Sequence, residues 1–483
     1  VTAGKSPLVP TFNNLSLYAQ DSWKVNPRVI LTYGLRWEYV PPPYDAEGNQ
    51  PATLERLQNG NFSLVTSGGS LWKTTYDNLA PRIGLSYKLS QKTGRETILR
   101  GGFGFFYDLG DGPVANAFAT SFPFVATKRL PANSTYPLSA TNAAPPPFPA
   151  SPAVGDFLFV FDPDLKLPRV YQWNVAVEQS LGPSQSISTS YVAAVGRRLL
   201  RLEKLGPLTP PVAALDQSYL TRNTATSDYH AMQLQFQRRL SRGLQALVSY
   251  TWSHSIDISS SDSKGLQPGS LNKTDPALDR GPSDFDVRHS FSSAVTYNLA
   301  VPNTHSVANA ILRNWAIDSI FIARSATPVD VIYSIFTSYG LASLRPDLVV
   351  GQPLYLADPT VAGGRRINRA AFIIPTTQRQ GTLSRNALRG FGAWQLDFAV
   401  RRQFKLKDTA NMQLRAEFFN IFNHPNFADP GSGSFNTNSL SDPNFGKSVQ
   451  MLGRGLGAST AGLNALYQIG GPRSIQLSLK LQF

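Results

Sequence analysis

The chain has no cysteine, so disulfide frameworks and thiolate metal sites are excluded. It is also poor in charge. Asp, Glu, Lys and Arg make up 16% of its 483 residues, against roughly 25% in an ordinary soluble domain. Although 42% of the residues are hydrophobic, no apolar run approaches the ~18 residues that a membrane-crossing helix needs. The opening Val1-Thr2-Ala3-Gly4 lacks an initiator methionine and the basic and apolar stretches of an export signal. Few charges without a long apolar run leave two classes. One is a wall of membrane-crossing strands, whose alternate residues face polar surroundings. The other is a large β-rich secreted protein. The net charge of +14 is scattered rather than blocked, so it is read either as solvated cations on loops and in a polar interior, or as attraction for anionic lipopolysaccharide or an anionic substrate.

What is present is alternation. In the last ten residues Ile475, Leu477, Leu479, Leu481 and Phe483 share one side, and Ser474, Gln476, Ser478, Lys480 and Gln482 the other. This is a strand with one apolar face. Six pairs of similar segments precede it: Leu15–Lys24 with Val29–Val40, Leu79–Leu89 with Thr97–Asp108, Val170–Ser180 with Ser186–Val195, Tyr229–Leu240 with Leu244–Trp252, His289–Leu299 with Asn314–Ala326, and Ala393–Leu406 with Asn411–Ile421. That makes thirteen expected strands, most near the ~9–11 residues that cross a bilayer at a tilt.

Links within a pair are short, the longest running from Ala300 to Arg313. Links between pairs are long, rich in Pro, Gly, Ser and Asn, and expected to be structureless: 41–78, 109–169, 196–228, 253–288, 327–392 and 422–473. Strict short/long alternation is the pattern of an outer-membrane antiparallel β-barrel with short periplasmic turns and long extracellular loops. The terminal strand then runs inward to the periplasm. Trp37, Tyr39, Tyr107, Tyr171, Trp173, Tyr250 and Trp252 stand at strand ends beside long loops, as interface aromatics should. Arg238 and Arg402 interrupt apolar faces near short turns, within snorkelling reach of the interface. The candidate interior-facing residues are Arg36, Glu38, Arg100, Gln395, Asp397, Arg401, Lys405, Arg415 and Glu417. They are read as packing within the wall and against a plug, or as substrate contacts. His230, His254, His289, His305 and His424 are dispersed and are given no metal or catalytic role. Gly101-Gly102-Phe103-Gly104 and Gly453-Arg454-Gly455-Leu456-Gly457 are too loose for phosphate loops, and no nucleic-acid site is read.

Single-chain bacterial barrels close with an even number of strands, so an odd thirteen predicts that N-terminal strands are missing. Specific segments carry a resemblance. Leu17-Tyr18-Ala19-Gln20-Asp21-Ser22-Trp23-Lys24-Val25, Leu31-Thr32-Tyr33-Gly34-Leu35-Arg36-Trp37-Glu38-Tyr39 and Leu79-Ala80-Pro81-Arg82-Ile83-Gly84-Leu85-Ser86-Tyr87 resemble strands of TonB-dependent outer-membrane transporters. Tyr250-Thr251-Trp252-Ser253, Phe285-Asp286-Val287-Arg288-His289-Ser290-Phe291 and the run Arg415-Ala416-Glu417-Phe418-Phe419-Asn420-Ile421-Phe422-Asn423-His424-Pro425-Asn426-Phe427 are similar to the Oar-like branch. The resemblance implies an N-terminal plug inside a barrel of about 22 strands, which would leave about nine absent here. Residues 1–483 would then be the C-terminal part of the barrel, without plug, TonB box or first strands. It also implies an active transporter of the cell outer membrane, not an enzyme, with no cofactor. Its partners would be outer-membrane lipid and lipopolysaccharide, the TonB energy-coupling complex, an unidentified substrate, and the barrel assembly machinery, whose recognition signal the strand ending on Phe483 resembles. The alternative is an outer-membrane adhesion or surface-assembly barrel without energised transport.

Overall fold

The computed structural model describes residues 1–483 apart from 6–7, 67, 109–110, 129, 131–132, 149–150, 153–156, 207, 211–216, 261–275, 300–312, 338–339, 378, 408–409, 433–435, 456–469 and 483. Phe483, His305 and nearly all of the link 300–313 therefore lie outside the described residues.

Among the described residues thirteen strands build one antiparallel wall in strict chain order. They are β1 (Leu15–Asn26), β2 (Val29–Tyr39), β3 (Leu79–Ser90), β4 (Thr97–Tyr107), β5 (Arg169–Ser180), β6 (Gln185–Lys204) and β7 (Gln217–Ser241). The wall continues with β8 (Leu244–Asp257), β9 (His289–Asn298), β10 (Trp315–Arg324), β11 (Ala393–Lys407), β12 (Ala410–Phe419) and β13 (Ser474–Gln482). Among the described residues β1 pairs only with β2 in this wall, and β13 only with β12, so both edges are open.

Register keeps one set of side chains on one face from edge to edge. Phe103 opposes Trp173, which opposes Ala193, then His230 and His254. Farther along, Phe398 opposes Phe418 and then Ile475. A one-residue slip anywhere would turn a strand's apolar set to the wrong side, and none occurs across the membrane-facing rows. The apolar set is bare: Leu477 is 77% exposed, and Leu17, Trp23, Ile83, Val175, Met232 and Leu414 are exposed large hydrophobics. A continuous apolar surface of this size needs a cover, and lipid supplies it.

Tight turns join the pairs. The Asn26 carboxamide accepts from the N–H groups of Arg28 and Val29 at 2.8 and 3.0 Å, an Asx turn between β1 and β2. Between β7 and β8, Arg242 and Gly243 both take positive φ (53° and 78°), the pattern of a two-residue hairpin turn. A Cβ on Gly243 would meet the Asn298 carbonyl oxygen at 2.4 Å, so glycine is required there. Arg238 turns its guanidinium onto this hairpin, donating to the Ser241 carbonyl at 3.2 Å. Arg402 instead lies over the Trp315 and Phe404 rings.

The structure corrects two expectations. Ser186–Val195 and Tyr229–Leu240 extend to 20 and 25 residues, because β6 and β7 keep pairing beyond the bilayer as far as Lys204 opposite Tyr219. Leu244–Trp252 likewise continues to Asp257. The long links are not structureless either, for the protein's apolar core lies within them. Three clusters bury, among others, Val331, Leu344, Phe372 and Leu440; Leu54, Phe122, Leu158 and Leu220; and Trp72, Val114, Phe118 and Phe161. The strand Phe157–Phe161 runs parallel to the β7 extension, and a helix spans Asp111–Ala119.

Candidate functional site

Two surfaces carry the polar chemistry: the inner face of the wall and the layer of loops above it. On the inner face, β10, β11 and β12 bring together Asp318, Arg401, Arg415 and Glu417. Arg401 donates to Asp318 at 3.1 Å, Arg415 pairs with Glu417 at 2.9 Å and lies 3.6 Å from Asp318. Thr296 donates to Asp318 at 2.7 Å from β9. Alternate residues on neighbouring strands face each other, which is why residues so distant in sequence meet. Gln395, also on β11, is 6% exposed and accepts from the Gly470 N–H at 3.0 Å, while Asp397 accepts from the Asn420 N–H at 2.8 Å. Gln395 thus anchors the link 422–473 to the wall, and Asp397 holds the chain where it leaves β12. Lys405 is exposed near the short turn.

The other members of the expected interior set form two separate groups at the far flank. Arg36 pairs with Glu38, which also accepts from Ser16. Arg100 pairs with Glu178 at 2.9 Å. Between the flanks the inner face of β6 to β9 is uncharged across the span, with Ser188, Ser190, Gln233, Gln235, Ser249 and Thr251 in facing rows. All seven expected interface aromatics lie on the outer face; six stand toward the loop end of their strands, and Tyr250 sits one row deeper than Trp252, opposite Leu234. There Trp37 donates to the Tyr76 carbonyl at 2.7 Å and stacks on Tyr39.

The loop layer holds polar groups that strand reading missed. Asp279 stands between two arginines whose side chains are 1% and 2% exposed: it pairs with Arg201 on the β6 extension and with Arg345 at 2.8 Å. Arg385 joins Asp257 and, at 2.9 Å, Asp284. Asp286, its carboxylate fully covered, takes Arg389 at 2.5 Å, Arg288 at 3.1 Å, His254 at 3.1 Å and the Ser255 N–H at 2.7 Å. Burial works against its charge, yet the Ser255 N–H, Arg389 and His254 outweigh it and hold the carboxyl below the usual carboxylate range. The one available signal was the apolar/charged alternation of Leu200-Arg201-Leu202-Glu203, which continues β6 past Val195.

Asp330, in the same layer, goes the other way. Desolvation pushes its carboxyl up to about 6, although Arg345, the Asn386 N–H and Arg385 pull it down. Its folded pKa thus lies above the ordinary value of 3.8, and the folded layer binds the extra proton. Linkage makes this contribution to loop-layer stability full near pH 4 and lost as pH rises through about 6. Asp286 has the opposite sign, losing its contribution as pH falls through the acid range. Asp330→Asn should therefore remove the weakening between about pH 4 and 6 and leave the acid limb. Loop proteolysis of wild type and variant across that range checks this; identical profiles would refute it.

Among the described residues no three metal-ligating side chains gather. His230 and His289 instead bond the hydroxyls of Tyr191 and Tyr250 at 2.7 and 2.8 Å.

An ordered antiparallel wall, bare and apolar outside, polar inside, with short turns at one end and packed loops at the other, defines a transmembrane barrel wall of the outer-membrane type. The chain belongs to the family described as outer membrane beta barrel domain, whose model matches residues 3–460, and its place is the cell outer membrane. No curated protein matches its sequence. Among solved structures it is similar to the outer membrane transporter YddB from Escherichia coli, with 11% identity and a TM-score of 0.48 over 97% of this chain and 54% of that one. The FrpB iron transporter from Neisseria meningitidis gives 13% identity and 0.45, over 99% and 46%. The ferripyoverdine receptor of Pseudomonas aeruginosa gives 9% and 0.46, over 97% and 38%. The chain spans about half or less of the length of these proteins.

Proposed function

We propose that residues 1–483 form the C-terminal part of the barrel of an Oar-like, TonB-dependent outer-membrane transporter, completed by further strands and a plug. The observation that carries this reading is the sided wall with two open edges, β1 and β13, each offering an unpaired ladder to another strand. The strand segments that resemble this group, from Leu17 to Phe427, support the narrower assignment. In this reading the charged flanks, Arg36, Glu38 and Arg100 on one side and Asp397, Arg401, Lys405, Arg415 and Glu417 on the other, face the plug. The uncharged rows between them border the path of the cargo.

A second reading, an adhesion or surface-assembly barrel, draws on the packed apolar cores within the loops. A crosslinking experiment separates the two. In cells making the full-length protein, a photo-crosslinker stepped through the segment ahead of the barrel should trap TonB. If no position traps it, energised transport is refuted and the adhesion reading stands.

A further inference from the structure

In the link between β2 and β3 the strands Thr53–Arg56 and Phe62–Val65 form a hairpin, with Thr53 opposite Val65 and Arg56 opposite Phe62. Its closing turn fixes which peptide groups look inward. The Leu57 N–H donates to the Asn61 carbonyl at 2.8 Å, the Gly60 N–H donates to the Leu57 carbonyl at 2.9 Å, and Gly60 takes a φ of 84°. Bonded and unbonded pairs alternate along an antiparallel ladder, so Glu55 with Ser63 and Thr53 with Val65 exchange bonds inside the hairpin. Leu54, Arg56, Phe62 and Leu64 then turn their N–H and C=O groups outward. On the Phe62 side the edge is taken. The Phe62 carbonyl accepts from the Thr209 N–H at 2.9 Å, and Leu208 forms a parallel bridge with Phe62. On the opposite edge, among the described residues, no protein group bonds the outward N–H and C=O of Leu54 or Arg56.

That edge borders a groove of about 720 Å³, walled by Thr53, Glu55 and Val65 of the hairpin and by Gly69, Trp72 and Lys73 of the chain that returns past it. Leu54 also lines the groove while its side chain is buried in the cluster with Leu158 and Leu220, so it presents its peptide group. The returning chain fits closely, since a Cβ on Gly69 would collide with the Thr53 hydroxyl. The cations of the groove are committed: Arg56 pairs with Asp162 at 2.7 Å and Asp164 at 3.1 Å, and Lys73 with Asp164 at 2.7 Å. Glu55 is exposed and, among the described residues, has no cation beside it. The site therefore offers two donor–acceptor pairs one ladder repeat apart, about 7 Å, next to one unbalanced carboxylate. A glycan carries hydroxyls without that repeat, and an acyl chain carries neither donor nor acceptor. An extended peptide carries both at the same spacing, and an unpaired strand edge is the surface to which such a segment adds. We infer that the Thr53–Arg56 edge binds a segment of another protein at the cell surface by strand addition. The backbone of that segment bonds Leu54 and Arg56, and a basic side chain meets Glu55. The inference rests on the loop layer alone and holds whether or not the protein transports anything.

The test uses the full-length protein in detergent and labelled peptides of about eight residues. The first alternates threonine and valine around a central lysine. The second carries glutamate in place of that lysine, and the third is the first with every interior peptide nitrogen methylated. The lysine peptide should bind with a Kd below about 1 mM, and its methylated form should not bind. Glu55→Lys should weaken the lysine peptide about fivefold at low salt and favour the glutamate peptide. Exchange of the Leu54 and Arg56 amides, fast in the free protein, should slow about tenfold or more on binding. Thr53 and Glu55 should change little, since they already bond Val65 and Ser63. No binding of the lysine peptide, equal binding of its methylated form, or binding that leaves Leu54 and Arg56 exchange unchanged would each overturn the proposal. So would protection of these amides that rises with protein concentration in the absence of peptide, which would assign the edge to a second copy of the chain.

Discussion

Replacing Asp279 with alanine should loosen the whole extracellular loop layer while leaving the wall folded. The carboxylate is 2% exposed and holds two guanidinium groups that are as deeply buried. Arg201 belongs to β6 and Arg345 to the link 327–392, so one acid ties the wall extension to a loop. Removing one partner of a buried charge pair costs about 3–5 kcal/mol, because the remaining charge stays desolvated without compensation. Here two charges would be stranded. Arg201 keeps Glu203 at 3.4 Å, and Arg345 keeps the Leu383 and Leu278 carbonyls at 3.2 Å, so the lower end, about 3 kcal/mol, is expected. That would raise the local opening population of the layer by roughly two orders of magnitude. Hydrogen exchange in 276–288 and 340–377 should accelerate accordingly, with no change in the ladders of β1 to β5. Asp279→Asn should fall between the two, since an amide oxygen still accepts one hydrogen bond but carries no charge. Exchange in the loops that matched wild type in the alanine variant would show that the arginines are not held by this acid.

Asp279 also shows where sequence reading stops. Period-2 alternation is local, so the thirteen segments, their faces and the outward position of Trp37, Tyr171 and Trp252 could be read from residues two apart. The pairing of Arg201 with Asp279 spans 78 positions, that of Arg345 with Asp279 66, and that of Arg385 with Asp257 128. No periodicity links such positions. Pro, Gly and Ser around them read as loop, and an arginine in a loop reads as solvated. The same limit explains Gln395. Its place on the polar face of β11 was legible, but the Gly470 N–H that occupies it was not. The long pairing of β6 with β7 was partly legible, because Leu200 and Leu202 continue the alternation past the bilayer edge, where a span of membrane-crossing length is no guide.

The sidedness of the wall makes a sharper prediction, using two adjacent residues of β7. Leu234→Arg should cost about 2–4 kcal/mol in folding from denaturant into lipid vesicles, while Gln235→Arg should cost close to nothing. Leu234 opposes Thr189 and Tyr250, in the row between Met232–Trp252 toward the loops and Phe236–Val248 toward the short turn. That is the middle of the membrane-facing stretch, where a guanidinium must be desolvated and neither interface is within easy reach. Gln235 opposes Ser188 and Ser249 on the uncharged inner rows, where water or a polar partner can solvate the same charge. The two substitutions share the strand, the depth and the added side chain. Only the face differs, so the gap between them measures the environment and not β-propensity. Arg238, four residues nearer the short turn on the outer face, shows why depth matters, since its guanidinium reaches the Ser241 carbonyl at the rim. Phe236→Arg, on the same outer face but closer to that rim, should accordingly cost less than Leu234→Arg. Equal costs at positions 234 and 235 would mean that both faces of β7 meet the same medium, and a membrane-spanning wall would then be ruled out.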